Sequence, residues 1–335
     1  MWNRCSDAKG AVEDHAADLV SSSVSIAVGA APKTTDLVEI AGANRVETAI
    51  AMAMKAFPSG ADAVVLATAY NWPDALGGSA LAGAVDGPML LVGSDPTPVL
   101  DAIDDLGATK AYILGGTGAV SGAVEDALVA TLGADNVTRI AGGNRYETAS
   151  LVADKVIELA GGAYDGTAFF ATGANFPDAL AASPLAAAKI WPVYLVAPGA
   201  TTATVNDAVT SGIILGGPGV VSGDFAIDGV TMTRLAGDNR YETAAAVAAY
   251  GVDTAGLGWN KVALTLGTNY PDALAGGVLQ GKDGSVLLLT PGTTLDPAAE
   301  AALSAHKDDI TEVRFFGGTS VISQAVRDAV RDILN

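Results

Sequence analysis

The sequence predicts an α/β protein made of three tandem three-layer α/β/α domains with mainly parallel sheets. Three observations lead there. Three short blocks recur in the same order three times along the chain. Between them, short apolar runs alternate with longer segments of helical period, the pattern of alternating strand and helix. The strand-like runs are also continuously apolar rather than alternating, which indicates sheets covered on both faces.

In the first unit, residues 37–40 read as a strand. Residues 45–57 read as a helix, with Val46, Ala49, Ile50, Ala53 and Met54 at helical spacing. Residues 63–67 form a buried strand, 74–85 a helix of small residues, 88–92 a strand and 98–106 a short helix. A strand at 110–114 ends at Gly115-Gly116, and a helix at 122–132 takes Ser121 as its N-cap. Residues 138–140 open the next unit.

The first block, Ile40-Ala-Gly-Ala-Asn44-Arg45-Val46-Glu47-Thr48-Ala49, returns from Ile140 and again from Leu235, at steps of 100 and 95 residues. The second reads Asn71-Trp72-Pro73-Asp74-Ala75-Leu76, then Asn175-Phe176-Pro177-Asp178-Ala179-Leu180, then Asn269-Tyr270-Pro271-Asp272-Ala273-Leu274. The third is Ile113-Leu114-Gly115-Gly116, Ile214-Leu215-Gly216-Gly217 and Phe315-Phe316-Gly317-Gly318. A period near 100 residues is too long for a solenoid turn and matches a small domain. The expected units are 37–139, 140–234 and 235–335, after a leader at 1–36.

Composition excludes several function classes. Half of the 335 residues are hydrophobic, 16% are charged and mean hydropathy is +0.37, unlike a disordered chain. The 65 alanines and 40 glycines suit helices lying close to a sheet or to each other. Acidic residues outnumber basic ones 37 to 18, a net charge of −19 that argues against nucleic acid as a partner. One cysteine, Cys5, rules out a disulfide framework, and His15 and His306 alone leave little for a metal site or a Ser-His-Asp enzyme. No cofactor or metal is expected. No apolar run reaches the roughly 20 residues of a spanning helix. The run at 19–32 contains four serines and follows Glu13, Asp14 and Asp18, where a secretory signal would be basic. The leader reads either as a poorly ordered terminus or as the remnant of a signal peptide.

The repeated polar residues carry the candidate chemistry. Asn44 with Glu47, and likewise Glu147 and Glu242 in the later units, has capping-box spacing. Capping does not explain Arg45, Arg145 and Arg240, because a cation at a helix N-terminus opposes the macrodipole. Two readings are open: pairing with Asp74, Asp178 and Asp272 of the second block, or binding an anion through planar guanidinium donors. The second block follows a strand and opens a helix, with Pro in the first turn. That places Asn71, Asn175 and Asn269, with Trp72, Phe176 and Tyr270, at the carboxyl edge of the sheet, where open α/β folds bind ligands. The aromatics either stack on a sugar or pack between domains. The glycine pairs Gly115-Gly116, Gly216-Gly217 and Gly317-Gly318 offer backbone N–H groups to an anion, although a full phosphate-binding loop motif is lacking. Ser121, Ser222 and Ser323 read as N-caps without a histidine nearby, so no catalytic set emerges, and threefold repetition of modest sites suits multivalent binding.

These blocks closely resemble the cell wall binding repeat 2 family of Gram-positive surface proteins, over about residues 37–335. The resemblance implies Toprim-like domains in a pseudo-threefold arrangement. It implies non-covalent, non-catalytic anchoring at the cell surface to an anionic, teichoic-acid-like wall polysaccharide. The family's Pro-Ile-Leu-Leu motif, associated with polymer binding, matches Pro88-Met89-Leu90-Leu91 best. Unit 2 has Pro192-Val193-Tyr194-Leu195 and unit 3 has lost the proline at Ser285. The run also reads as a buried strand. Family members are fused to effector domains such as muramoyl-alanine amidases, and the expectation here is a stand-alone module or a fragment lacking its effector. The alternatives are an amidase or amidase modifier, and a self-assembling surface-layer protein.

Overall fold

The computed structural model describes residues 34–335, so the leader reading falls almost wholly outside the described residues. In the first repeat, β1 (Asp36–Ile40) leads through α1 (Arg45–Ala56), β2 (Ala63–Thr68), α2 (Gly78–Ala84), β3 (Met89–Val92), α3 (Thr97–Leu106) and β4 (Lys110–Leu114) to α4 (Gly122–Leu132). The second runs β5 (Val137–Ile140), α5 (Arg145–Ala160), β6 (Thr167–Thr172), α6 (Pro177–Ala181), α7 (Ser183–Lys189), β7 (Val193–Val196) and β8 (Ser211–Leu215). The third runs β9 (Thr231–Leu235), α8 (Arg240–Asp253), β10 (Gly258–Leu266), α9 (Pro271–Lys282), β11 (Ser285–Thr290), α10 (Pro297–Ala305), β12 (Glu312–Phe316) and α11 (Gln324–Leu334).

The strands form three sheets of four parallel strands, ordered β3-β2-β4-β5, β7-β6-β8-β9 and β11-β10-β12-β1. Every side chain of β2 and β3 is buried, as a sheet with cover on both faces requires. The last strand in each order belongs by sequence to the following repeat. Leu114 pairs with Ile140, Leu215 with Leu235, and Phe316 with Ile40. Sheets and sequence repeats are thus out of phase by one strand. From β4, the crossover through α4 delivers β5 to the open edge of its own sheet. β1 has no such predecessor among the described strands, and it occupies the equivalent edge on β12, closing the three repeats into a ring.

Small residues act at the centre of that ring. Helices α2, α7 and α9, one from each repeat, pack against one another. A Cβ on Gly83 would collide with the Ala187 carbonyl, and one on Gly277 with Ser183. One apolar cluster runs through all three repeats, from Ile40 to Leu334, and a smaller one surrounds Phe170, Tyr194 and Phe225 in the second. Each repeat therefore leans on its neighbours for burial.

Some expected elements differ. The helix at 74–85 is divided: a 3₁₀ turn at Pro73–Ala75 precedes α2, with Leu76 and Gly77 between them. Its counterpart in the second repeat splits into α6 and α7 around Ala182, next to Ser183-Pro184, whose proline lacks an N–H donor. In the third, α9 is continuous. Ser222 caps no helix; its hydroxyl accepts the Asp224 N–H, and Phe225 turns inward onto Phe170 at 5.5 Å between ring centroids. Ser121 accepts the Val124 N–H, whereas the Ser323 hydroxyl is buried at the start of α11 without a cap bond. No helix of the described residues is long and apolar enough to cross a membrane.

Candidate functional site at the repeat junctions

The first block builds the same corner three times. Asn44, Asn144 and Asn239 adopt extended backbone and cap α1, α5 and α8, each Oδ1 accepting two backbone N–H groups of the first turn. Glu47, Glu147 and Glu242 reach back, accepting from the Asn Nδ2 and from the N–H of Ala43, Gly143 and Asp238 at 2.8–3.0 Å. Both polar residues are thereby committed to the loop.

The arginines are not. Each Nη1 donates to a backbone carbonyl at the carboxyl end of a strand in its own repeat: Arg45 to Ala69 at 2.8 Å, Arg145 to Gly173 at 2.8 Å, Arg240 to Gly267 at 2.6 Å. The rest of the guanidinium faces the preceding repeat. Arg145 lies 5.0 Å from the Trp72 ring, and Arg45 lies 5.9 Å from the Tyr270 ring and 3.3 Å from its hydroxyl. Each arginine also acts electrostatically on the second-block aspartate across the junction: Arg145 on Asp74, Arg240 on Asp178, Arg45 on Asp272. None of the three joins its aspartate in an ion pair. Burial pushes the pKa of all three carboxyls above the ordinary range, and the facing arginine draws it partly back; at Asp74 a hydrogen bond with Thr148 also lowers it.

The aspartates pack against the first glycine of each pair. Gly115, Gly216 and Gly317 have φ of +91°, +94° and +101°, and a Cβ there would collide with Oδ2 of Asp74, Asp178 and Asp272. Their N–H groups are not available to an anion: they donate to the carbonyls of Ile140, Leu235 and Ile40, at 2.9–3.0 Å. Gly116, Gly217 and Gly318 sit one residue further out, half-buried.

Trp72, Phe176 and Tyr270 meet one another, with ring centroids 5.9 Å and 5.8 Å apart for the Trp72–Phe176 and Phe176–Tyr270 pairs. They remain half-buried, so packing between repeats takes part of each ring. Asn71, Asn175 and Asn269 are exposed, each Oδ1 accepting the next residue's N–H. Pro88, Met89, Leu90 and Leu91 are buried in or beside β3, so their side chains face core rather than solvent.

At the junction of the second and third repeats these residues line one cleft of about 260 Å³, formed by Asn175, Asp178, Gly217, Asn239 and Arg240 among others. It adjoins an opening of about 520 Å³ bordered by Thr172, Asn175, Pro198 and Ser222. Both lie at the carboxyl edge of the sheet, at the place that parallel α/β folds use for ligands.

A second arginine set was not singled out in the sequence. Arg139 and Arg234 donate to the carbonyls of Gly115 and Gly216, both at 2.7 Å. The signal was there as Thr-Arg just before the first block in repeats 2 and 3, where repeat 1 has Glu39. At the third glycine, Arg327 of α11 replaces them, donating to Gly317 at 3.0 Å and pairing with Glu39 at 2.7 Å.

Comparisons with known proteins agree with this organisation. The family model for cell wall binding domain 2 (CWB2) matches residues 39–125, 139–226 and 234–327. The N-acetylmuramoyl-L-alanine amidase LytC of Bacillus subtilis (strain 168) is 29% identical over 275 residues, covering 80% of this chain and 53% of that protein. The amidase enhancer of the same organism is 32% identical over 276 residues, covering 80% and 36%. This chain thus spans about half, or less, of the length of these relatives. Among solved structures, Cwp6 and Cwp8 from Clostridium difficile share the fold, with TM-scores of 0.75 and 0.76 and 23% identity. The match covers 90% of this chain and 48% and 52% of theirs.

Proposed function

The chain belongs to the cell wall binding domain 2 family, and on that premise we propose that it anchors at the cell surface by gripping an anionic wall polysaccharide in its junction clefts. Cell-wall binding itself follows from the family. The observation that carries the finer reading is the junction geometry: one repeat presents a fixed, part-buried arginine, Arg240, to a cleft that the preceding repeat lines with Asp178 and Gly217. A guanidinium held by a carbonyl keeps its remaining donors oriented for phosphate or carboxylate. Three such sites on one body gain from effective concentration even when each is weak.

The net charge of −19 works against an anionic ligand, and the aspartate in each cleft does so locally. Burial raises its pKa above the ordinary range, so as pH falls the repulsion fades at a higher pH than it would for an exposed aspartate. Amidase activity belongs to the relative that bears that name. Here, among the described residues, no three His, Cys, Asp or Glu side chains converge as a metal site would need.

The test is retention on purified cell walls, before and after chemical removal of anionic polymer, for wild type and for Arg45→Gln/Arg145→Gln/Arg240→Gln. Wild type should bind native walls in a salt-sensitive way and stripped walls poorly, and the folded triple variant should lose most retention. Equal retention of wild type on both wall preparations overturns the proposal, as does full retention by the triple variant. Release of muropeptides by the pure protein would favour the amidase reading.

A further inference from the structure

We infer that the first repeat carries a neutral-sugar subsite of its own, with Tyr70 as stacking platform, beside the anion-binding cleft; this rests on the polysaccharide reading above. Three positions vary together. The residue after the repeated arginine is Tyr146 and Tyr241 in repeats 2 and 3 but Val46 in repeat 1. The residue whose carbonyl holds the arginine is Gly173 and Gly267, but Ala69 in repeat 1. The next is Ala174 and Thr268, but Tyr70 in repeat 1. The tyrosine rings of repeats 2 and 3 lie on those glycines so closely that a Cβ there would collide with the ring. Ala69 forbids that arrangement. The first repeat has a short side chain on the helix and the aromatic one residue along the loop.

The displacement changes what the surface offers. Tyr70 is 69% exposed, the most exposed large hydrophobic side chain among the described residues. Its hydroxyl reaches toward Gly93, just past β3, so the ring spans from the loop after β2 to the loop after β3. It borders a cleft of about 340 Å³ that also takes in Arg45, Gly93, Ser94 and Asp95. The corresponding space in repeat 2, about 280 Å³, is walled by Tyr146, Leu195, Val196 and Ala200, with no exposed aromatic.

An aromatic face beside a carboxylate, a hydroxyl and a guanidinium is the set a pyranose ring uses. Its C–H face lies on the tyrosine, and its hydroxyls donate to Asp95 and accept from Arg45. The Asp95 carboxylate, held below the usual range by its hydrogen bonds with Thr97, stays charged and disfavours phosphate at this position. The ligand class is therefore an uncharged hexose or N-acetylhexosamine unit, not the anionic group. Because this set, with its exposed aromatic, occurs in one repeat of three, the module would meet the polymer with a defined end.

The experiment is an NMR titration of the whole chain with glucose, N-acetylglucosamine and, separately, glycerol phosphate, followed through the Tyr70 ring signals and assigned by loss in Tyr70→Ala. One of the neutral sugars should shift Tyr70 saturably in wild type. Tyr70→Phe should keep binding and Tyr70→Ala should lose it, with retention on native walls falling about ten-fold in the latter. Absence of a Tyr70 shift with either sugar overturns the subsite, and so does wild-type wall retention by Tyr70→Ala. Neither result bears on the arginine clefts of Arg145 and Arg240, which stand or fall on the stripped-wall comparison.

Discussion

Reversing the ion pair that closes the ring tests whether all junctions use one device. At the first junction Glu125 of α4 pairs with Arg139 of β5 at 2.9 Å, and Arg139 holds the Gly115 carbonyl. At the closing junction the charges are exchanged: the helix carries Arg327, the strand carries Glu39, and they meet at 2.7 Å. Arg327 is 8% exposed and also donates to the Ile322 and Gly317 carbonyls at 3.0 Å. The Glu39 side chain is 45% exposed, so solvent screening leaves the ion pair about 0–1 kcal/mol. The two bonds to carbonyls come from a buried charged donor, at about 1.5–3 kcal/mol each before allowance for water reaching the vacated site. Arg327→Glu should therefore cost about 3–5 kcal/mol, and Glu39→Arg about 1 kcal/mol. The double exchange recreates the polarity of the first junction, with a strand arginine in reach of the Gly317 carbonyl. It should recover at least about 1.5 kcal/mol relative to the sum of the single losses, within the range of coupling seen for contacting residues. Urea melts of the four proteins at one salt concentration give the cycle directly. A double variant whose loss equals the sum of the singles within about 0.5 kcal/mol refutes the reasoning.

Further outcomes follow from the junction. Gly216→Ala forces an L residue to φ +94° against Asp178, and should cost about 1–3 kcal/mol by thermal unfolding, whereas Gly219→Ala, with open space around it, should cost far less. Asp178→Asn tests the raised carboxyl. Between the ordinary carboxylate value and the raised folded value the native chain holds more protons than the unfolded one, so stability declines as pH rises through that window. The variant should lack that decline and match or exceed wild type at neutral pH; a steeper decline would contradict burial as the leading cause. Wall retention by wild type should strengthen as pH falls through the same window, and do so less in Asp178→Asn.

Much of this was legible in the chain because it is local. The helix expected at 45–57 is α1 at Arg45–Ala56, and the strand expected at 63–67 is β2 at Ala63–Thr68, since period and capping are set by residues within a few positions. The missing helix after Ser222 carried a signal of its own in Gly223-Asp224, whereas paired glycines do not by themselves divide a helix: Gly77-Gly78 sits at the break before α2, but Gly276-Gly277 lies inside the continuous α9. The partner of each arginine was a different matter. Pairing with an aspartate of the second block was one of two readings, but nothing in the spacing assigns Arg45 to Asp272 of the third repeat rather than to Asp74 of its own. The aromatic trio and the arginines that hold Gly115 and Gly216 likewise come together only across repeats, whereas Arg327 holds Gly317 within the third.

The sequence by itself determined a thrice-repeated α/β unit with polar blocks at its strand-to-helix turns, because periodicity, caps and glycine positions act over a few residues. Tertiary structure decided which edge each first strand joins, and therefore where every junction lies. β1 and β5 arise from similar apolar segments, and any open parallel edge of matching register would accept either. Pairing across the length of the chain is settled by which edge remains free once the neighbouring crossovers have formed, and by whether the charges beside it, Glu39 with Arg327 or Arg139 with Glu125, are complementary.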